Sequence, residues 1–197
     1  MSQSADVVHA ELRDLHERLV ACLVATVPPM LEGHADEELY ALALVTDSDV
    51  ITCRLSAQTE QLLAAVPDYD DEPEYYRWWP EEWSIHDDEC DPVSGGESSV
   101  ELSRVLFELE RQATASGMVV GDWRNAAREV LHSALGHEQV AQALTDINPL
   151  WAPVLFVMDS DGDQWPTVTS IDELNDDHPR PELVAEVRQY YVAEAEA

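Results

Sequence analysis

Leu39-Tyr40-Ala41-Leu42-Ala43-Leu44-Val45 is an unbroken apolar run of strand length. Such a run fits a central strand covered on both faces, because a strand with one wet face alternates apolar and polar residues. Thr46-Asp47-Ser48-Asp49 follows as a polar turn, and Val50-Ile51-Thr52-Cys53-Arg54-Leu55 returns as a second strand. Two such runs joined by four polar residues predict an antiparallel hairpin. Working backwards, Val8, Leu12, Leu15, Leu19, Cys22 and Leu23 keep three- and four-residue spacing over a helix from about Asp6 to Val27. Pro28-Pro29 is expected to end it, and residues 32–38 read as a polar linker.

Working forwards, Ser56 is placed to cap a short helix reaching Val66, with Leu62, Leu63 and Val66 inward and Pro67 as its stop. An acidic and aromatic segment fills residues 67–97. Ser98-x-x-Glu101 is a capping box that opens a helix with Leu102, Val105, Leu106, Leu109 and Ala113 on one face. Gly117 is its expected stop. Asp122 is expected to cap the next helix, which Gly136 interrupts and which resumes towards Pro149. Pro153–Met158 reads as a third strand. Asp159–Asp163 reads as a hairpin turn in which Gly162 supplies a positive φ, and Gln164–Thr169 as a short edge strand, since Pro166 excludes a central one. A last helix begins near Pro181 with Leu183, Val184, Val187, Tyr190 and Tyr191 on one face. The fold class is α+β: a three- to four-stranded antiparallel or mixed sheet with helices packed on it. Residues 1–197 are read as a single domain, with 67–97 inserted between the early hairpin unit and the later helices.

The chain carries 41 Asp+Glu against 10 Lys+Arg, a net charge of -31, and every basic residue is Arg. That charge repels nucleic acid and anionic membranes, so neither is an expected partner. No apolar span is long enough for a transmembrane helix, and the first residues lack the pattern of a signal peptide, so a cytoplasmic protein is expected. The acidity has three readings: adaptation to a salty cytosol, a GC-rich codon bias, or a surface for a basic partner. Cys22 and Cys53 fall on apolar positions and read as small core residues, while Cys90 lies in an acidic loop that disfavours its thiolate.

Tyr75-Tyr76-Arg77-Trp78-Trp79-Pro80-Glu81-Glu82-Trp83 holds three of the six Trp and two of the six Tyr, with acid on both sides. In a structural reading Pro80 opens a short helix, Trp83 and one of Trp78 or Trp79 bury on the sheet, and Arg77 pairs with an acid or stacks on an indole. In a functional reading Tyr76, Arg77 and Trp79 form a patch for a basic protein. The candidate partner-binding or signature residues are Tyr76, Arg77, Trp78, Trp79, Glu82 and Trp83. Three pieces of the chain resemble the bacterial family called domain of unknown function 4303. They are the strand pair and helix from Tyr40 to Leu62, the Arg77–Trp83 signature after an acidic loop, and the strand Val154–Asp161. The resemblance spans about residues 8–190. Trp79 stands where that family usually has Ser, so any role of that hydroxyl is absent here. The resemblance implies a fold and no activity. By analogy alone, some small families of this look serve as immunity or accessory proteins in toxin systems.

Motifs that carry chemistry are weak. Asp159-x-Asp161-x-Asp163 starts like an EF-hand, but Gln164 replaces the required Gly and Ser170 the bidentate Glu. Glu129-x-x-His132 puts two ligand-type side chains on one helix face, without the second pair a di-iron bundle needs. His132 and His137 lie on different faces, and His86, Asp87, Asp88 and Glu89 read as a solvated loop. Ser94-Gly95-Gly96 reads as a linker, and no nucleophile elbow is present. No catalytic, cofactor or metal residue is assigned. The expected function is a non-enzymatic acidic binding or accessory protein, in concrete form an immunity-type neutraliser of a basic protein. The rivals are a small carboxylate- or metal-dependent hydrolase and a halophile housekeeping domain.

Overall fold

A computed structural model describes residues 2–67, 69–87 and 97–197. Asp88, Glu89, Cys90 and Ser94-Gly95-Gly96 lie outside the described residues, as does the side chain of Val8. A four-stranded mixed sheet in the order β3-β2-β1-β4 lies at the centre. β1 (Leu39–Thr46) pairs antiparallel with β2 (Arg54–Thr59) and parallel with β4 (Val154–Asp159), and β3 (Ile85–His86) extends β2 antiparallel. All eight residues of β1 are buried, as its continuous apolar run requires. A bulge between Leu39 and Ala41 resets its register. Leu39, Leu42 and Leu44 then share a core with Leu55 and Ala57 under α1 (Ser2–Leu31), α4 (Ser99–Ala115), α5 (Val120–Leu135) and α6 (Glu138–Ile147). Tyr40, Ala41, Ala43 and Val45 face the opposite core with Phe156 and Met158. The small Ala41 and Ala43 leave room there for Trp78, Trp83 and Tyr191. That side is covered by α3 (Pro73–Trp78), α7 (Trp165–Leu174) and α8 (Pro181–Glu196). The architecture is α+β, with helices on both faces of the sheet. No helix among the described residues is long and apolar enough to cross a membrane.

Several expected boundaries move. Pro28 and Pro29 do not end α1; the helix runs on to Leu31. Both prolines remove donors, but Val27, Met30 and Leu31 are buried and hold the last turn in place. The second strand starts at Arg54 instead of Val50. Val50 is fully buried with φ 55, a rare conformation for a β-branched residue, so it plugs the core from a turn. Asp47 organises that turn by accepting from Asp49 N, Ile51 N and Thr52 Oγ1. Ser56 caps no helix: it stays in β2 opposite His86, and Thr59 caps the single turn α2 (Glu60–Leu63) by accepting from Leu62 N.

The Ser98–Glu101 capping box opens α4 as expected, and Gly117 after it has φ 85. Asp122 lies in the first turn of α5, which Val119 precedes at the cap. Residues 165–174 form a helix where a strand was expected. Pro166 sits in its first turn, where its missing N–H is harmless. The polar residues of α7 point at the open edge of β4. Leu155 N donates to Asn175 Oδ1, Val157 N to Ser170 Oγ and Asp159 N to Thr167 Oγ1. Side chains therefore complete the ladder that a fifth strand would have completed, and the edge is blocked.

Candidate functional site

The aromatic segment is built from a short helix, α3, and a 3-10 turn at Pro80–Glu82. Its inner face is structural. Trp78 and Trp83 are buried. Trp78 Nε1 donates to Glu186 Oε1 and Trp83 Nε1 to the Arg77 carbonyl, which also accepts from Tyr40 OH at 2.8 Å. Arg77 holds Glu60 with two hydrogen bonds of 3.0 and 2.7 Å, and its Nε lies 3.0 Å from Glu186. Its guanidinium sits 4.5 Å above the Tyr40 ring. Burial opposes the charge of Arg77, but the hydrogen bonds and charge of Glu60, with Glu186, outweigh it and raise its pKa further. Tyr76 is half-buried against the same core.

The outer face differs. Trp79 is half-buried and stacks on Tyr75 with ring centroids 6.0 Å apart and planes 20° apart. Tyr75, Trp79 and Tyr190 of α8 line an open groove of about 600 Å³, framed by Glu72, Glu74 and Glu194. Tyr75 OH donates to Glu82 Oε1. Burial, then that hydrogen bond and the charge of Glu82, push the Tyr75 phenol up to about 12. Burial, followed by the charges of Glu194, Glu74 and Glu72, also raises Tyr190. Negative potential thus converges on three aromatic rings, the arrangement that binds organic cations. The carboxylates supply the charge, and the ring faces supply the quadrupole.

A second concavity lies at the carboxyl ends of the parallel strands β1 and β4, between α5 and α7. It measures about 430 Å³. Such strand ends are where open α/β sheets commonly bind ligands. Asp159, the last residue of β4, is 2% exposed and pairs with Arg128 Nη2 through Oδ2 at 2.5 Å. Its Oδ1 faces the turn backbone at Gly162, and the carboxylate also draws on the Asp161 backbone. Burial raises the Asp159 pKa, and the Arg128 hydrogen bond and charge oppose that rise. His132 Nδ1 lies 3.2 Å from Glu173 Oε2. Burial lowers the His132 pKa, and the charge of Glu173 opposes that drop. Glu129 and His132 thus do share a site, together with Glu173 and Trp165, which lie too far along the chain to be associated with them by spacing. A clue existed in the acid that ends a parallel strand.

The carboxylates of the Asp159–Asp163 turn are engaged by the fold. Asp159 pairs with Arg128, Asp161 accepts from Ser48 N, and Asp163 accepts from Trp165 N at the start of α7. No group of three or more metal-ligating side chains converges among the described residues. Gly162 does not have a positive φ. A Cβ there would lie 2.6 Å from Asp159 Oδ1, so glycine is required by close approach to the buried carboxylate. Cys22 and Cys53 are buried, and desolvation pushes their thiols up to about 11 and about 12. They are core residues and poor nucleophiles.

The family described as Domain of unknown function (DUF4303) matches residues 19–148, more than half of the 197-residue chain. The chain belongs to that family. The match spans β1, β2 and the aromatic segment and stops before β4, so it is narrower than the 8–190 resemblance suggested. No curated protein and no solved structure matches the chain.

Proposed function

We propose that this member of the DUF4303 family is a cytoplasmic acidic binding protein whose partner is a basic protein, acting as an immunity-type neutraliser. The observation that carries the reading is the groove of Tyr75, Trp79 and Tyr190 framed by Glu72, Glu74 and Glu194. A lysine or arginine side chain placed there meets aromatic faces and carboxylates together. The overall charge of -31 steers such a partner from a distance, raising the association rate in a salt-dependent way. Within the signature, Trp79 contacts the partner, while Arg77, Trp78 and Trp83 hold the platform, with Tyr76 packed beside them and Glu82 fixing Tyr75.

The test is co-expression with a basic protein encoded beside this gene, followed by calorimetry of the purified pair. A stable complex is expected, weakened about tenfold by Trp79→Ala and again by Glu194→Gln. Absence of a complex, or a complex indifferent to both changes, would overturn the reading. A second reading, a small hydrolase, is favoured by His132, whose Nδ1 lies 3.2 Å from Glu173 inside the strand-end pocket. Turnover of ester or phosphoester substrates that is lost in His132→Gln would support it.

A further inference from the structure

The outer face of α4 departs from the acidic surface around it. Leu102, Leu106, Leu109 and Ala113 bury the inner side of the helix. At 3.6 residues per turn, Val100, Arg104, Phe107 and Arg111 fall within about 60° of one another on the opposite side. All four are exposed, Val100 at 52% and Phe107 at 49%. The solvent side of such a helix is normally polar, so a Phe and a Val between two Arg form apolar surface without a cover. Val119 and Val120, also exposed, follow at the start of α5. The cations of this face are unusual too. Arg18, Arg77, Arg124, Arg128, Arg180 and Arg188 each hold an acid from another part of the chain. Arg111 reaches Glu108 on its own helix at 3.2 Å, and no ion pair or hydrogen bond engages Arg104 among the described residues. Glu101 and Glu108 run along one flank of the stripe, about 80–100° round from Val100. The stripe and its flank together carry two cations, two acids and an apolar centre.

We propose that this face docks on the same face of a second copy of the chain, with the two α4 helices antiparallel across a two-fold axis. Such a contact requires a patch complementary to itself. Setting Val100 opposite Arg111 also sets Arg104 opposite Phe107, because the two pairs share one midpoint. The two-fold axis keeps the acidic flanks of both helices on the same side. Glu108 of one copy then comes level with Arg104 of the second copy, and Glu101 with Arg111, each to within one residue, about 1.5 Å, along the helix. The two Phe107 rings meet beside the axis, about 4.5 Å apart along it, and each Val100 lies on the stem of an Arg111. Two acid–cation pairs and their symmetry mates thus close round an apolar centre. A parallel pairing would bring Arg against Arg and Glu against Glu, which is disfavoured. A uniformly acidic partner would meet Glu101 and Glu108, and a uniformly basic one would meet the two Arg, so the face fits itself better than either. One helix face is at the small end of specific interfaces, and each copy carries -31 charges. The dimer is therefore weak, and it forms where salt removes the long-range repulsion but spares charges in direct contact. The proposal does not depend on the partner reading, because it uses none of the groove residues.

The experiment is sedimentation velocity of the full chain at about 100 μM in KCl from about 0.1 to 2 M. A monomer at low salt that shifts to a dimer at molar KCl is expected. Salt should weaken a complex with a basic protein, so opposite salt trends separate this proposal from that reading. Arg104→Glu and Glu108→Arg each set like charges against one another and should weaken the dimer about tenfold or more. An equimolar mixture of the two variants puts opposite charges back at both contacts and should dimerise again. Phe107→Cys combined with Cys90→Ser should oxidise to a covalent dimer. Val100→Cys combined with Cys90→Ser should not, because the two Val100 positions lie about 16 Å apart along the helices. Cys22 and Cys53 are buried and stay out of that reaction. A chain that is monomeric at every salt concentration would overturn the proposal. So would a mixture no more dimeric than either variant alone, or cross-linking at Val100 as ready as at Phe107. The substituted α4 positions are all exposed, so each variant is expected to fold, and circular dichroism checks that it does.

Discussion

Replacing Arg77 tests whether the signature is a structural plug. The side chain is 14% exposed and touches four elements: Glu60 on α2, Glu186 on α8, the Tyr40 ring on β1 and the Trp78 ring of its own helix. Breaking a fully buried ion pair from one side costs about 3–5 kcal/mol. Here the acids are wetter, Glu60 at 32% and Glu186 at 48% exposed, and they regain water when stranded. An exposed pair contributes about 0–1 kcal/mol. The geometry lies between these limits, and loss of the ring contact and stem packing adds to it, so Arg77→Ala should cost about 1.5–3 kcal/mol. Arg77→Lys keeps the charge but loses the two-pronged bond to Glu60, and should cost about 1 kcal/mol. The Arg77 carbonyl still accepts from Tyr40 and Trp83, so the backbone anchor survives either change. The assay is urea unfolding at fixed KCl, because guanidinium chloride would itself screen the charge. At this chain length the alanine variant should melt roughly 4–10 °C lower. A loss below about 0.5 kcal/mol would refute the plug and return Arg77 to a purely surface role.

Gly162→Ala should destabilise by about 1–3 kcal/mol through its clash with the Asp159 carboxylate, and the penalty should largely vanish on an Asp159→Ala background; equal penalties in both backgrounds would deny the contact. His132 has a folded-state pKa below its unfolded value, so its stabilising contribution is present above about pH 6.5 and is lost as pH falls through the folded value. Urea midpoints of His132→Gln and wild type measured from pH 8 to pH 5 should therefore converge towards acid; parallel curves would contradict the burial argument. With -31 charges repelling one another, the melting temperature should climb between low and molar KCl as the screening length shortens from about 10 to 3 Å, and a flat curve would show that the charge is already compensated.

What could be read from the sequence was whatever rested on local physics. The run Leu39–Val45 became a fully buried central strand, and Ser98 with Glu101 became a working capping box. What misled were residues whose partners are distant. Val50 reads as strand from its side chain, yet the core captures it in a turn. Thr167, Ser170 and Asn175 look like a polar edge or loop until β4 is in place. They then become the donors and acceptors that close the sheet, and a helix is what spaces them to do it. The same holds for the sites. Glu129 and His132 were visible as one helix face, but Glu173 and Trp165 join them only because α7 folds over the β4 edge.

The aromatic signature shows most clearly why composition alone misassigns function. Its density of Trp and acid suggests one binding surface, but the backbone divides it. Arg77, Trp78 and Trp83 turn inward, where the two Nη groups of Arg77 bond Glu60 and both indole N–H groups find acceptors. Removing them would report on stability before it reported on recognition. Trp79, with Tyr75 beside it and Tyr190 arriving from α8, is the indole of the signature that lines the outer groove. A substitution there leaves the hydrogen bonds of the inner face intact. Trp79 is therefore the position in the signature where a loss of binding can be separated from a loss of fold.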